Sequence, residues 1–390
     1  MQNNRSAAAW RTALTGFLTL AVAVGIGRFA YTPLLPLMLH DAGLTIVAGS
    51  WLASANYLGY IAGALSAARL PGPPARWIAA SLVGTAALTA AMGFTQSTSV
   101  WLVLRTLAGI ASAWGLVLVS AWAMQRLMLA GAAQRSGVVF AGVGLGMAFT
   151  GVLAALGRNL GASSAALWIA FGALAVAITV GVWPLLFAPA PAAPSRQAAA
   201  PTARPPRRAV VVLVATYGIF GFGYIIPATF LPVIARDALG TAAVTDWFWP
   251  ALGLAAAAST LAASRLTERH GNTAILAWSF LLEGIGIALL AAFPGVAGFA
   301  LSALLVGGTF MVITMATIRA AQELAGTAAG GLIAGLTAAF GIGQIAGPLF
   351  AGYVVHTSGG FAWALAVAAG AMILAGMVIP RGLRAATRAI

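Results

Sequence analysis

Residues 13–39 read ALTGFLTLAVAVGIGRFAYTPLLPLML, a run of 27 residues with one charge, Arg28. As a helix this run is about 40 Å long at 1.5 Å per residue, more than the ~30 Å hydrocarbon core of a bilayer. It reads as a membrane span. Similar apolar runs recur outward from it, near 48–68, 77–95, 99–125, 137–157, 163–187, 209–235, 244–264, 273–293, 296–319, 328–355 and 360–379. Of the 390 residues, 61% are hydrophobic and only 7% are charged. A soluble domain carries about 25% charged residues, so too little charge is present here to cover a water-facing surface. The expectation is an all-α membrane protein with twelve transmembrane helices.

The formal charge of +14 raises the possibility of nucleic acid, and its distribution argues against it. All twenty basic residues are arginines, placed mostly in short gaps between apolar runs. With the N-terminus inside, sixteen lie on the cytoplasmic side, Arg158 and Arg236 lie outside, and Arg28 and Arg105 lie within spans. That asymmetry orients both termini toward the cytoplasm of a bacterial inner membrane. The polar stretch 1–11 is expected to remain as a cytoplasmic tail. Cysteine is absent, which removes disulfide and thiol chemistry. Three histidines and six acids are too scattered to form a metal cluster, so neither metal nor cofactor is expected. No nucleophile–base pair can be assembled, which argues against an enzyme. With no lysine, the phosphate-binding G-x-x-x-x-G-K-[ST] loop cannot be completed, and energy must come from an ion or solute gradient.

Residues 188–208 form the one long interruption, with six prolines and four arginines. They read as a flexible cytoplasmic linker between an N-terminal six-helix bundle, 1–187, and a C-terminal one, 209–390. A shift of 196 residues lays one half on the other. Gly25-Ile26-Gly27 falls on Gly221-Phe222-Gly223, Pro36 on Pro232, Asp41-Ala42 on Asp237-Ala238, Trp51 on Trp247, and Arg69-Leu70 on Arg265-Leu266. Farther on, at a shift of 199, Gly142-Val143-Gly144 meets Gly341-Ile342-Gly343. Parallel repeats of this kind mark transporters whose substrate site lies near mid-membrane where the repeats meet.

The segment Gly25-Ile-Gly-Arg-Phe-Ala-Tyr-Thr-Pro-Leu-Leu-Pro36 resembles the first helix of the YbfB/YjiJ-like branch of the major facilitator superfamily. Leu266-Thr-Glu-Arg-His-Gly271 resembles the superfamily loop motif L-x-D-R-x-G, with Glu268 in place of Asp and Arg269 at the arginine. Arg105-Thr-Leu-Ala-Gly109 resembles its R-x-x-x-G motif. The first-half loop motif departs from the pattern. At Leu70-Pro-Gly-Pro-Pro-Ala-Arg76, Gly72 stands at the acid and Pro73 at the arginine, which weakens any charge lock there. The resemblance implies that spans one, four, seven and ten surround a central cavity, and that the chain is a secondary transporter working by alternating access.

A site for an asymmetric substrate need not obey the repeat, so polar intramembrane residues without a counterpart are the candidates. Arg28 faces Tyr224 in the copy, Glu283 faces Ala87, Asn56 faces Leu252 and Gln344 faces Leu145. Arg28 lies roughly 16 Å deep, with Tyr31 and Thr32 expected on its face. It reads either as a substrate ligand or as an arginine bonding carbonyls at the Pro33/Pro36 break. Arg105 has small residues on its face and serves packing, coupling or substrate contact. Trp114, Tyr217 and Tyr224 read as cavity lining or as ordinary packing.

Glu283 is the only deep carboxylate. It is a proton-carrier candidate, or a protonated or locally paired structural acid on a supporting helix. Arg319 and Glu323 should form a local pair four residues apart. Gln344, within a Gly-rich stretch, should bond across a helix contact. Glu268, Arg269, Arg319, Glu323 and Gln344 together are the gating candidates.

Two arginines and no amide or acid on the implied cavity helices favour a small organic anion over sugars or cations. The alternative is an exporter of amphipathic or aromatic compounds, of the drug/proton antiporter type. A non-transporting receptor is the further alternative. The expected partners are a small-molecule substrate, protons as coupling ion and the lipid bilayer, with no nucleic acid and a monomeric state.

Overall fold

The computed structural model describes residues 2–67, 69–188, 205–240, 243–326 and 329–387, so most of the expected linker lies outside the described residues. The first apolar run forms α1 (Gln2–Leu20), a π-helical turn (Ala21–Ile26) and, after residues 27–30, α2 (Tyr31–Asp41). There follow α3 (Ile46–Ala67), α4 (Pro74–Ala91), α5 (Thr98–Leu129), α6 (Ser136–Asn159) and α7 (Ser164–Leu186). Beyond the linker come α8 (Arg207–Leu239), α9 (Phe248–His270), α10 (Asn272–Ala292), α11 (Val296–Ala325), α12 (Ala329–Ser358) and α13 (Ala362–Thr387).

Among the described residues, ten helical runs are long and apolar enough to cross a membrane, with α1, the π turn and α2 counted as one run, Ser6–Asp41. The helices α3 and α9 are 22 and 23 residues long but lie outside that set. Both dilute their apolar residues with polar ones, Ser50, Ser54 and Asn56 in α3 and Ser259, Thr260 and Thr267 in α9.

The chain divides into two compact units, Met1–Arg196 and Gln197–Ile390. In the first unit α1 packs on α6, α3 on α5, and α4 on both α5 and α7. In the second, α8 packs on α12, α9 on α11, and α10 on both α11 and α13. Each pairing of the first unit therefore has its equivalent in the second. Glycine makes the equivalent contacts possible. A Cβ on Gly109 of α5 would overlap the Asn56 carbonyl oxygen of α3, and a Cβ on Gly307 of α11 would overlap the Leu252 carbonyl oxygen of α9. With no hydrophobic drive between helices in lipid, such close backbone approach is what holds them.

Two loops differ between the units. The Leu266–Gly271 motif is not a loop up to its glycine. It forms the last turns of α9, which stops at Gly271 with φ +80°, a conformation that suits only glycine. The Glu268 side chain lies outside the described residues. In the first unit the Pro-Gly-Pro-Pro turn has Gly72 at φ +83° and is closed by Trp77, whose Nε1 donates to Pro71 O at 2.8 Å. A proline turn thus replaces the charged motif.

Candidate functional site

The break in the first span builds the site. Gly27 N and Phe29 N donate five residues back, to Val22 O and Val24 O at 2.9 and 3.1 Å, which widens the helix. Pro33 and Pro36 then supply no N–H to the preceding turn. Thr32 N turns to Phe29 O at 3.3 Å, so the Arg28 carbonyl is available to another donor. Arg105 of α5 supplies it. Its Nη1 donates to Gly27 O and its Nη2 to Arg28 O, each at 3.3 Å, and its guanidinium lies 4.7 Å from the Tyr31 ring centroid. Arg105 thus bonds carbonyls of the break, the role that one of the two readings gave to Arg28. One guanidinium fork spans two carbonyls, which a lysine ammonium cannot match.

The Arg28 guanidinium lies over three rings, 4.6 Å from the Tyr60 centroid, 4.9 Å from Tyr57 and 5.2 Å from Phe29. Such contacts stabilise a desolvated cation by about 2 kcal/mol or more. Arg28 is 5% exposed and Arg105 2%, so two like charges are buried in one cluster. Tyr31 lies in the same buried cluster. Its ring faces Arg105, and its hydroxyl donates to Gly49 O of α3 at 2.8 Å. Thr32 is buried beside it in sequence. Asn56 of α3 donates through Nδ2 to Arg105 O at 2.9 Å and ties α3 to the same turn of α5.

Trp114 is not in this cluster. It lies nine residues beyond Arg105, about 13 Å along α5. There its Nε1 donates to Ser66 Oγ at 3.0 Å and its ring meets Trp77 edge-on at 5.4 Å. Sequence reasoning passed over Tyr57 and Tyr60. Their three-residue spacing on α3 was the available signal.

In the second unit a ring stands at the position of Arg28. α8 runs unbroken through Pro227 and Pro232. Tyr224, at the position equivalent to Arg28, stacks on Phe310 at 5.7 Å and 2° and on Phe340 at 5.7 Å and 7°. Tyr217 stacks on Phe340 at 4.8 Å. Gln344 of α12 donates through Nε2 to the Tyr224 hydroxyl at 2.6 Å, a bond between helices.

Glu283 is fully buried on α10. Thr309 Oγ1 of α11 stands 3.1 Å from its Oε2 and 2.6 Å from Leu305 O. The residue after Thr309 is Phe310, which stacks on Tyr224, so one stretch of α11 touches both the acid and the aromatic group. Arg319 Nε donates to Glu323 Oε1 at 3.2 Å, with both side chains about half exposed. Arg269 is exposed at the end of α9.

Residues 20–380 match the family described as uncharacterised MFS-type transporter YbfB. The chain belongs to this family of major facilitator superfamily transporters. Among curated proteins no match was found. Two solved transporters share the fold. A crystallised mutant of the nucleoside transporter NupG aligns with a TM-score of 0.75 at 12% identity, over 96% of this chain and 99% of that one. A bacterial homologue of the human lysosomal transporter Spinster, inward-facing and unoccupied, aligns at 0.67 with 14% identity, over 98% and 97%. At such identities the likeness establishes the fold alone. With ten apolar spans, this family member is a multi-pass membrane protein.

Proposed function

We propose that the protein moves a small organic anion across the bacterial inner membrane by alternating access, with twelve crossings in two six-helix bundles and cytoplasmic termini. The carrying observation is the burial of Arg28 and Arg105 in one tyrosine-rich cluster. Two like charges in a low-dielectric setting repel, and a bound anion relieves that repulsion. Arginine matches the planar geometry of a carboxylate or phosphate. Arg105 holds the broken helix in shape, and Arg28 is the substrate's ligand.

Glu283 carries the coupled proton. It is buried away from water, where a charge is costly, and its Oε2 has Thr309 Oγ1 as donor at 3.1 Å. The aromatic stack of the second unit favours a second reading, export of amphipathic or aromatic compounds. A thermal-shift screen of the purified protein over carboxylates, phosphates, amino acids and cationic drugs decides between them, because a ligand of the folded state raises its stability. Stabilisation by organic anions supports the first reading, and stabilisation by cations alone rejects it. Radiolabel counterflow in proteoliposomes then separates a transporter from a receptor.

A further inference from the structure

At the end of the first unit where α1 begins and α7 ends, a cavity of about 300 Å³ is lined by Arg11, Trp122, Arg126, Pro184, Leu185 and Ala188 among others. Two lining residues are cationic and none is acidic. Arg126 is half-buried, lies 4.4 Å over the Trp122 ring and donates from Nη2 to Ala188 O at 3.0 Å. A guanidinium has five N–H donors, so its fork is fixed in place with donors to spare for a ligand. Arg11 is exposed on α1, across the cavity.

Aromatic residues surround this end of the unit. Trp10 is 52% exposed, with Arg135 stacked 4.7 Å over it, and Trp183 of α7 and Phe187 just after it are 45% and 48% exposed and 5.5 Å apart. Exposed tryptophans at the end of a span mark the depth of the lipid headgroups. The cavity therefore combines two arginines at headgroup depth with an apolar wall of Pro184 and Leu185.

We infer that this cavity binds the phosphodiester headgroup of an anionic phospholipid, with Arg11 and Arg126 as phosphate donors and Trp122 positioning Arg126. Basic pockets between membrane helices suit this chemistry. The inference is independent of the transported substrate, because Arg28 and Arg105 take no part in it.

The test is lipid retention by the purified full-length protein, read by native mass spectrometry. Mixed micelles contain either phosphatidylglycerol or phosphatidylcholine, and a third arm adds inorganic phosphate. The wild type should retain phosphatidylglycerol over phosphatidylcholine by on the order of tenfold, since each arginine near the headgroups adds about a kcal/mol. The double variant Arg11→Gln/Arg126→Gln should lose that preference. Arg69→Gln/Arg76→Gln, with the same change in charge away from the cavity, should keep it. If the double variant does not fold, Arg11→Gln alone removes only an exposed side chain and should reduce the preference. Unchanged retention in the cavity variants overturns the inference. Displacement of phosphatidylglycerol by millimolar inorganic phosphate overturns the lipid assignment and leaves a site for soluble anions.

Discussion

At Arg28 the guanidinium has a ring centroid within 5.2 Å in three directions, and no other arginine among the described residues has more than one such ring. A guanidinium has five N–H donors in all, and in the proposed site this buried one binds the anion. Arg28→Ala should therefore weaken anion binding by about tenfold to a hundredfold, the loss of a hydrogen bond to a charged group. Arg28→Lys keeps the charge without the planar fork and should fall between the two. Titration of the folded variants with the anion found in the screen measures both, and wild-type affinity in the alanine variant removes Arg28 from the site.

Glu283 makes a different prediction at the same scale. Glutamine copies the protonated acid but releases no proton. Glu283→Gln should abolish accumulation driven by a pH gradient and spare substrate exchange. Undiminished accumulation in proteoliposomes would make Glu283 structural, joined to α11 through Thr309.

At the scale of elements, helices in this protein meet through missing side chains. Gly25 of the π turn lies against Gly146 of α6, where an added Cβ would come within 2.6 Å of the Gly146 Cα. Gly59, Gly63 and Gly109 do the same along the α3–α5 contact, against backbone that cannot rotate away. Gly109→Ala should cost about 1–3 kcal/mol in overpacking. Gly181→Ala, with open space around it, should be neutral or slightly stabilising through helix propensity. Thermal unfolding of the two variants in one detergent measures the contrast.

Arg105 also acts at this scale, since it fastens α5 to the broken first span. Arg105→Lys retains the charge but reaches one carbonyl, and should lower stability by about 1–3 kcal/mol even without substrate. A melting temperature equal to that of the wild type would mean the two carbonyls need no donor. The break itself was legible in part. Pro33, Pro36 and the glycines mark its place in the sequence. Which side chain would serve its carbonyls was not legible, because α5 reaches them from 77 residues away.

At the scale of the whole molecule, the repeat and the arginine asymmetry make a testable statement about orientation. The native chain has no cysteine, so a single probe gives no background. Ser195→Cys should react with an impermeant thiol reagent only after the membrane is permeabilised. Labelling in intact cells would invert the proposed topology. The apolar spans rest on composition and the family match on the resemblance of motifs spread along the chain, so both were readable from the sequence. Span ends were less readable. The expected span at 244–264 corresponds to α9, Phe248–His270, because hydropathy falls before the helix stops and only Gly271 ends it.

The sequence by itself determined the solvent of this protein, its family, and the positions that depart from its internal repeat. Each of these follows from residue type and spacing, quantities that need no coordinates. Only the tertiary structure divided the work between the two buried arginines. It gave Arg105 the carbonyls of the break and Arg28 the rings of Tyr57 and Tyr60, and it separated Trp114 from both. It also joined Glu283 to Thr309 and Tyr224 to Gln344. These partners lie 26 to 120 residues apart in the chain, and a contact across that separation is set by which helices pack together.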